Sequence, residues 1–475
     1  MDRFYCDNLV IRDNSGRQRI FRGINICCKE SEISPHKFRK EHNIKKLKNK
    51  LLKDGVNLIR FGVTWASIEP EEKRYNAELI AEYVHFVKEC EKLGIYVILD
   101  MHQDLFTKGP KSGDGAPKWA LDKEIKLKRE FLIWAEGYFY MDGVQQAFYD
   151  FWGNKNGIQD KFIETWKYYA ACFNECSNII GMDWLNEPYV HKNGRIIFTE
   201  LISNIFNIVF GVRYNFLSCF QTVNDKAGFI GMALKMLRAV KSPKNIKRLL
   251  ETMDNKENFD KAVNGLEKYT ADFNKNYYEP FIEKLCKNAI LKDTASLFEH
   301  NYFSNLGIPF QIDFRENSIY SPHAYDIFVD SPLYNKYSSN GRIASILEHI
   351  RENQINMNVP VIMGEWGGGA AGSHWVRHVD YIMNILEEYQ WSSIYWNYDA
   401  EREKLKGTFD RPYPVAICGN IKKIKTDTKS RSFELVWEQD KAFENSNVKN
   451  LIFITGKGIT ELEGKTGLNE IKIEY

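Results

Sequence analysis

Two glutamates close apolar runs of the chain: Glu187 in residues 184–188 (WLNEP) and Glu365 in residues 363–367 (MGEWG). The end of a hydrophobic stretch is an unfavourable place for a charge that serves only solubility. Paired carboxyl groups can protonate a leaving oxygen and attack an acetal carbon, or direct water at it, which is the chemistry of breaking a glycosidic bond. Other polar groups stand at the ends of other apolar runs: Arg60, His102 in DMHQD, the His-x-Tyr pair His323 and Tyr325, and Trp396. Asn186, directly before Glu187, suits a hydrogen bond to a sugar 2-hydroxyl, a contact that strengthens in the transition state. The plainer alternatives are strand-end acids in salt bridges and satisfied core histidines.

Such groups need a scaffold that delivers many strand ends to one face. Apolar, β-rich runs occur at residues 19–27, 56–63, 95–102, 179–187, 296–300, 318–325, 360–365 and 392–397, with helical stretches such as 77–92 between them. Near-continuous apolar strands covered on both faces, alternating with helices, predict an α/β fold, a (β/α)8 TIM barrel, whose catalytic groups sit at strand C-termini. Beyond Trp396 the pattern changes: residues 411–414 (RPYP) cannot continue a helix, and short strand-like runs follow at 432–437, 450–455 and 471–475. The expected division is a catalytic barrel over residues 1–404 and a small C-terminal β-sandwich-like, all-β domain over 405–475, packed on the barrel.

The stretch from Glu187 to Phe298 spans 111 residues (298 − 187), too many for one helix and its loops, so a helical insertion is expected at about 190–290. Within it, Leu201, Ile205, Ile208, Val212 and Phe216 recur at helical spacing, widened by Ile202, Phe206 and Val209. Residues 235–250 then carry Lys235, Arg238, Lys241, Lys244, Lys247 and Arg248 with no acid. This combination reads either as a lid or membrane-surface element over about 197–250, or as an ordinary buried helix beside a solvated basic face. Ser203, Asn204, Asn207, Arg213 and Asn215 interrupt the run and argue against a transmembrane span.

Composition bounds the rest. Across 475 residues, 65 Lys plus Arg against 63 Asp plus Glu leave a formal charge of +2, which argues against a nucleic-acid partner held by a broad basic field. A hydrophobic content of 44% and aromatic content of 14% exclude a disordered chain and suit a site that stacks on sugars or apolar tails. The first ten residues hold no secretory h-region, and the nine cysteines form no CxxC pair, so a cytoplasmic location with membrane association is expected. The Cys172–Cys176 spacing lacks a second pair, and neither a metal nor a cofactor is called for.

Residues 22–25 (RGIN), 58–75 (LIRFGVTWASIEPEEKRY), 94–104 (GIYVILDMHQD), 113–120 (GDGAPKWA), 186–188 (NEP), 322–326 (PHAYD), 364–367 (GEWG) and 411–414 (RPYP) together resemble family 5 glycoside hydrolases. The resemblance is strongest to the endoglycoceramidases and their glucosylceramidase-like relatives. It implies Glu187 as acid/base, Glu365 as nucleophile, and Arg60 as the group that orients the nucleophile. It further implies sugar contacts from Asp100, His102, Asn186, His323, Tyr325 and Trp396, with Lys29 matching a sugar-contacting lysine of the family. Retention of configuration would place the carboxyl groups ~5 to 5.5 Å apart, with the pKa of Glu187 raised. The expected activity is a retaining β-glycosidase cleaving the glucosyl–ceramide bond of a glycosphingolipid. The alternatives are a steryl or other lipid-linked glucoside, a soluble β-glucan, or a glycolipid binder without catalysis. The insertion is longer than in the secreted endoglycoceramidases. Trp65, Trp119 and Trp366 are candidates for an acyl-chain groove or for core, and Asp104 for a structural role bonding the next loop's amides.

Overall fold

The computed structural model describes all residues except 109–112, 124, 126–133, 192, 223–224, 289–293, 314–316, 332, 369–371 and 398–410. Unalternating apolar runs make its central sheet. In Leu58–Thr64 and Tyr96–His102 every residue is buried, as strands covered by helices on one side and closed on themselves on the other must be. Parallel pairing runs in order through Arg22–Cys28, Leu58–Thr64, Tyr96–His102, Ile179–Asp183, Ala295–Phe298 and Ser318–Tyr320. It resumes with His323–Ala324 on Ile362–Gly367, which pairs with Ser392–Trp396, and that strand returns to Arg22–Cys28. The sixth strand is thus broken at Ser321 and Pro322, where proline has no N–H to give a ladder. A bridge from Tyr320 to Val361 closes the ring there, and the (β/α)8 barrel stands as predicted.

The period-two geometry of strands sets what the barrel interior holds. Leu58, Ile98, Ile180, Leu297, Ile319, Ile362 and Ile394 fill its lower end with Phe21 and Ile11. Two residues further along the same strands and the same face come Arg60, Asp100, Glu299 and Trp396. An apolar plug therefore sits under a polar layer; Asp183 and Glu365 join that layer three residues beyond Ile180 and Ile362, on strands whose pairing registers shift.

Helices close the outside. Ala77–Lys92 starts at Asn76, whose side chain accepts from the Leu79 N–H, and it buries Leu79, Ile80, Tyr83, Phe86, Val87 and Cys90 at helical spacing. Between the fourth and fifth strands the chain is helical: Gly194–Phe210, Ser218–Thr222, Asp225–Val240, Pro243–Met253, Lys256–Val263 and Glu279–Asn288. Gly194–Phe210 buries Ile197, Leu201, Ile205, Phe206 and Val209 and ends at Gly211, whose φ of +71° is the left-handed turn a glycine supplies. Among the described residues no helix is long and apolar enough to cross a membrane.

A second β unit packs beside the barrel. One sheet joins Phe4–Asp7, Val10–Asp13 and Gln18–Arg19 to Tyr413–Ile417, Asn450–Ile454 and Gly458–Leu462; the other holds Gly419–Asp427, Ser432–Gln439 and Gly467–Glu474. Between them lie Val415, Ile417, Ile421, Phe433, Leu435, Trp437, Ile452 and Phe453. Residues 4–19, which the expected division placed with the barrel, thus pair with the C-terminal β unit, through Ala416 opposite Arg19 and Ile417 opposite Gln18. The expected 404/405 boundary falls outside the described residues. Fully buried Arg411 ties the unit to the barrel helix Ser373–Glu388 through Asp380 and Glu387, and the Tyr413 hydroxyl donates to the Gly55 carbonyl at 2.7 Å.

Candidate active site

Arg60 is the hub of the charged layer. Its guanidinium donates to Asp183 at 2.8 Å, Glu365 at 2.8 Å, Glu299 at 2.8 Å, Asn186 at 3.0 Å and Asn25 at 3.2 Å, and it lies 2.9 Å from Asp100. Burial opposes its charge, but Asp100, Asp183, Glu299 and Glu365 together push its pKa well up. Burial, reinforced by Glu299 and Asp100 and opposed by Arg60, pushes the Asp183 carboxyl well above its ordinary range. Gly62 continues the inward face of the Arg60 strand; a Cβ there would meet an Asp100 carboxylate oxygen at 2.7 Å, so glycine makes room for this cluster.

Glu365 stands at the end of Ile362–Gly367 beside His323, its register partner on the neighbouring strand. One carboxylate oxygen accepts from Arg60 and the other from the Tyr325 hydroxyl at 2.8 Å. Gly364 permits the approach, since a Cβ there would fall 3.0 Å from the His323 Nε2.

Glu187 follows its strand in a left-handed conformation, φ +44°, which costs a non-glycine residue roughly 1 kcal/mol and needs support. The support is visible: its N–H donates to Glu299 at 2.7 Å, and the Gln103 amide donates to the Asn186 and Glu187 carbonyls at 2.8 and 3.2 Å. Its side chain accepts from Asn305 Nδ2 at 2.7 Å and faces His323 Nδ1 at 3.1 Å. Asn305 is oriented in turn by His300, whose Nε2 lies 2.7 Å from Asn305 Oδ1 while its Nδ1 lies 2.8 Å from the Tyr320 hydroxyl. Burial pulls His300 down to about 3, so it is a neutral orienting group. Burial raises the Glu187 carboxyl above its ordinary 4.5; His323 opposes the rise, and Glu365 and Asp104 add to it. His323 is itself held well up, against burial, by Glu299 and Glu365.

A carboxylate oxygen of Glu187, a ring nitrogen of His323 and a carboxylate oxygen of Glu365 all lie within 4.8 Å of one another.

A cavity of about 400 Å³ opens over the pair. Seven of the predicted residues line it: Lys29, His102, Asn186, Glu187, Tyr325, Glu365 and Trp396. His102 lies parallel to the Trp396 ring at a centroid distance of 5.5 Å, and Lys29 sits 4.9 Å over the same indole. Arg60, Asp100 and His323, by contrast, are wholly buried behind the lining; Asp100 meets Arg60 and the His102 Nδ1, so it orients those groups from beneath. Among the described residues Asp104 pairs through its carboxylate with Lys29 and with no loop amide, and burial together with Asp104 pushes neighbouring Asp114 up to about 7.

The other side of the cavity is apolar. Phe198, Leu201, Ile202 and Ile205 of Gly194–Phe210 face Ile327, Phe328 and Val329 of the loop after the sixth strand, with Phe139 and Leu306. Two loops meet over this space where the Trp134 indole N–H donates to Asp330 at 2.7 Å, and both residues line the cavity. Trp65, Trp119 and Trp366, candidates for a groove or for core, are absent from this lining. Trp65 and Trp366 are buried at 2% and 1% exposure, and Trp119 packs edge-on to Trp65 and donates to the Glu69 carbonyl. Trp65 opens the helix Trp65–Ile68, Trp119 lies in the turn Lys118–Ala120, and only Trp366 stands on a strand, Ile362–Gly367.

Sequence reasoning passed over Glu299, Asp183, Gln103, Asn305 and Asn25. Glu299 follows the apolar Ala295–Phe298 just as Glu187 follows its own strand, and that parallel was the available signal. Asn305 lies in the turn Tyr302–Leu306, where no strand pattern points to it.

Comparison with known proteins agrees with this geometry. The family described as Cellulase (glycosyl hydrolase family 5) matches residues 13–224 and 254–402, and the Glycoside hydrolase family 5 C-terminal domain matches residues 411–462. An endoglycoceramidase of Hydra vulgaris is 31% identical over 207 residues, 38% of this chain and 39% of that protein. The chain therefore spans about two fifths of the length of that relative. Among solved structures, endo-glycoceramidase II from Rhodococcus sp. has a TM-score of 0.63 at 17% identity, covering 98% of this chain and 99% of that one. Cryptococcus neoformans sterylglucosidase 1 has a TM-score of 0.67 at 16% identity, covering 99% and 96%. These structural likenesses speak for the fold. The family matches, which take in most of the barrel and of the β unit, make the chain a member of glycosyl hydrolase family 5 and so a glycoside hydrolase.

Proposed function

We propose that this enzyme is a retaining β-glycosidase that hydrolyses the bond between glucose and ceramide in a glycosphingolipid. The observation that carries the reading is a single cavity lined both by the Glu187–Glu365 pair and by an apolar group of Phe198, Leu201, Ile202, Ile205, Ile327 and Phe328. A sugar at the carboxylates would leave its lipid against that wall. A soluble β-glucan offers nothing apolar to place there.

In the proposed cycle Glu365 attacks the anomeric carbon while Glu187 gives its proton to the departing ceramide oxygen, leaving a glycosyl–Glu365 ester. Glu187, now a carboxylate, takes a proton from water as the water attacks the same carbon and frees Glu365. Burial suits Glu187 to the first step, because a raised pKa keeps the proton in place until it is needed. Arg60 and Tyr325 fix the two oxygens of Glu365 in line with the carbon they serve. Asn186 takes the sugar 2-hydroxyl, Trp396 and His102 present faces to the ring, and Lys29 with Asp104 meets hydroxyls at the far edge. The relatives named endoglycoceramidase support this substrate class. Nine unpaired cysteines support a reducing, cytosolic compartment, and a lipid substrate brings residues 197–250 to a membrane surface.

A sterol glucoside would place its rings against the same wall, and the likeness to a sterylglucosidase keeps it as the second reading. The deciding experiment is a panel of glucosylceramide, longer glycosphingolipids, a steryl glucoside and cello-oligosaccharides, with products separated as lipid and free sugar. Release of ceramide supports the proposal. Cleavage of the steryl glucoside alone selects the second reading, and cleavage of cello-oligosaccharides alone removes both.

A further inference from the structure

The helices Asp225–Val240 and Pro243–Met253 carry an outer face that the barrel does not explain. Phe229 and Met232 are buried and Met236 packs on the core, fixing the inward side of the first helix. At about 100° per residue, Leu234, Leu237, Arg238 and Lys241 fall on the opposite side. An ordinary solvated face would be polar throughout, yet Leu234 is 49% and Leu237 68% exposed, and Ile246 in the next helix is 50% exposed. Of the twelve large hydrophobic side chains exposed among the described residues, these three and Val212 lie within one 35-residue stretch, so the exposure is concentrated rather than scattered.

The charge around them is one-sided. Lys235, Arg238, Lys241, Lys244, Lys247 and Arg248 are all exposed, and no acid lies between residues 226 and 250. Among the described residues only Lys247 of this group has an ion-pair partner, Glu251 at 3.6 Å. Lys235 also donates to the Ser218 hydroxyl at 3.3 Å, and Arg248 lies 5.8 Å over the Phe210 ring. Leucine and isoleucine interleaved with exposed lysine and arginine match a bilayer interface, where apolar tips enter the acyl boundary and cations meet anionic headgroups. The face is also coupled to the site: Phe229 stacks against Phe198 at a centroid distance of 6.5 Å, and Phe198 lines the cavity.

We infer that the two helices flanking the Lys241–Ser242 turn dock the enzyme onto an anionic phospholipid bilayer, setting the apolar wall of the cavity beside the membrane. This deepens the lipid-glycoside reading and takes its purpose from it, but it stands or falls on a probe that contains no glycolipid. The test is flotation of the full chain with phosphatidylcholine vesicles, with and without about a third of phosphatidylserine. Two surface variants are run beside it, Lys235→Ser/Arg238→Ser/Lys241→Ser/Lys244→Ser and Leu234→Ser/Leu237→Ser, each checked for an unchanged thermal midpoint. The parent should float with anionic vesicles and not with neutral ones. The four-charge variant should lose on the order of 100-fold in partitioning at low salt, and the two-leucine variant roughly 10-fold. A parent that remains soluble with both vesicles, or variants that float as well as the parent, would overturn the inference. So would loss in the charge variant with full retention in the leucine variant, which would assign the face to a soluble polyanion. If the parent floats as expected but cleaves no lipid glycoside, the docking surface stands and the substrate reading falls.

Discussion

At the barrel end of the cavity, Glu187 and Glu365 are gripped by groups that are themselves buried: Arg60, His323, Asn305 and Tyr325, with Glu299, Asp183 and His300 behind them. At the insertion end, Phe198, Leu201, Ile202 and Ile205 contribute surface and no hydrogen bonds. Reaction chemistry needs atoms fixed to fractions of an ångström, and only a connected polar network on rigid strands does that. Recognition of a lipid needs area and tolerance, which a helix with a broad apolar stripe provides. On the proposed function, chemistry belongs to the barrel and choice of aglycone to the insertion, and each side can be broken separately.

The largest effects belong to the barrel end. Glu365→Ala should lower kcat by about 10⁴-fold or more, and Glu187→Gln by ~10²–10⁴-fold, measured on any β-glucoside the parent cleaves. Full activity in either variant would dissolve the assignment. Arg60→Met leaves Asp100, Asp183, Glu299 and Glu365 without their cation, and a loss of ~3–5 kcal/mol in denaturant unfolding is expected, enough to abolish the folded enzyme at moderate temperature.

The insertion end should give smaller and more selective effects. Ile202→Asp puts a charge into the apolar wall. It should cut kcat/KM on glucosylceramide roughly 30-fold, about 2 kcal/mol, while changing a short-chain aryl β-glucoside less than twofold. Equal losses on both substrates would erase the distinction between the two ends.

The pH dependence tests the barrel end from another side. Because the Glu187 carboxyl is raised above 4.5 in the folded enzyme, its contribution to stability is fully present below about 4.5 and is lost as pH rises through the folded value. Glu187→Gln removes that loss, so the variant should match the parent in Tm near pH 4 and exceed it at pH 8. A variant less stable than the parent at pH 8 would contradict the assigned burial. In the parent, kcat/KM should decline as pH rises through the same raised value, since the group must carry its proton to act as acid. The smallest expected change is Trp134→Phe. Removing the indole N–H that reaches Asp330 should alter KM for the lipid substrate by no more than about fivefold, near 1 kcal/mol, and leave kcat unchanged.

The parts of this arrangement that were legible in sequence are those written in local patterns. Eight apolar runs gave the barrel because each strand is covered on both faces, and polar residues at run ends marked Arg60, His102, Glu187, Glu365 and Trp396. Long-range pairing left no such trace. The strand Gln18–Arg19 finds Tyr413–Ile417 across almost 400 residues, and nothing in residues 4–19 distinguishes that partner from the adjacent barrel. Asp100 and His323 were legible as site residues, but their place behind the lining depends on strand register: Gly62 opposite Asp100 and Glu365 opposite His323. The apolar stripe at 197–209 was equally visible, yet which of its residues face a cavity is set by the loop at Ile327–Val329 that packs across from it.

The claim that the two ends act on one molecule is tested most directly by proton NMR of the sugar first released from β-glucosylceramide in detergent. The account predicts free ceramide with β-glucose as the first anomer, relaxing later to the equilibrium mixture. Release of α-glucose first, or an inert lipid substrate beside readily cleaved cello-oligosaccharides, would contradict it.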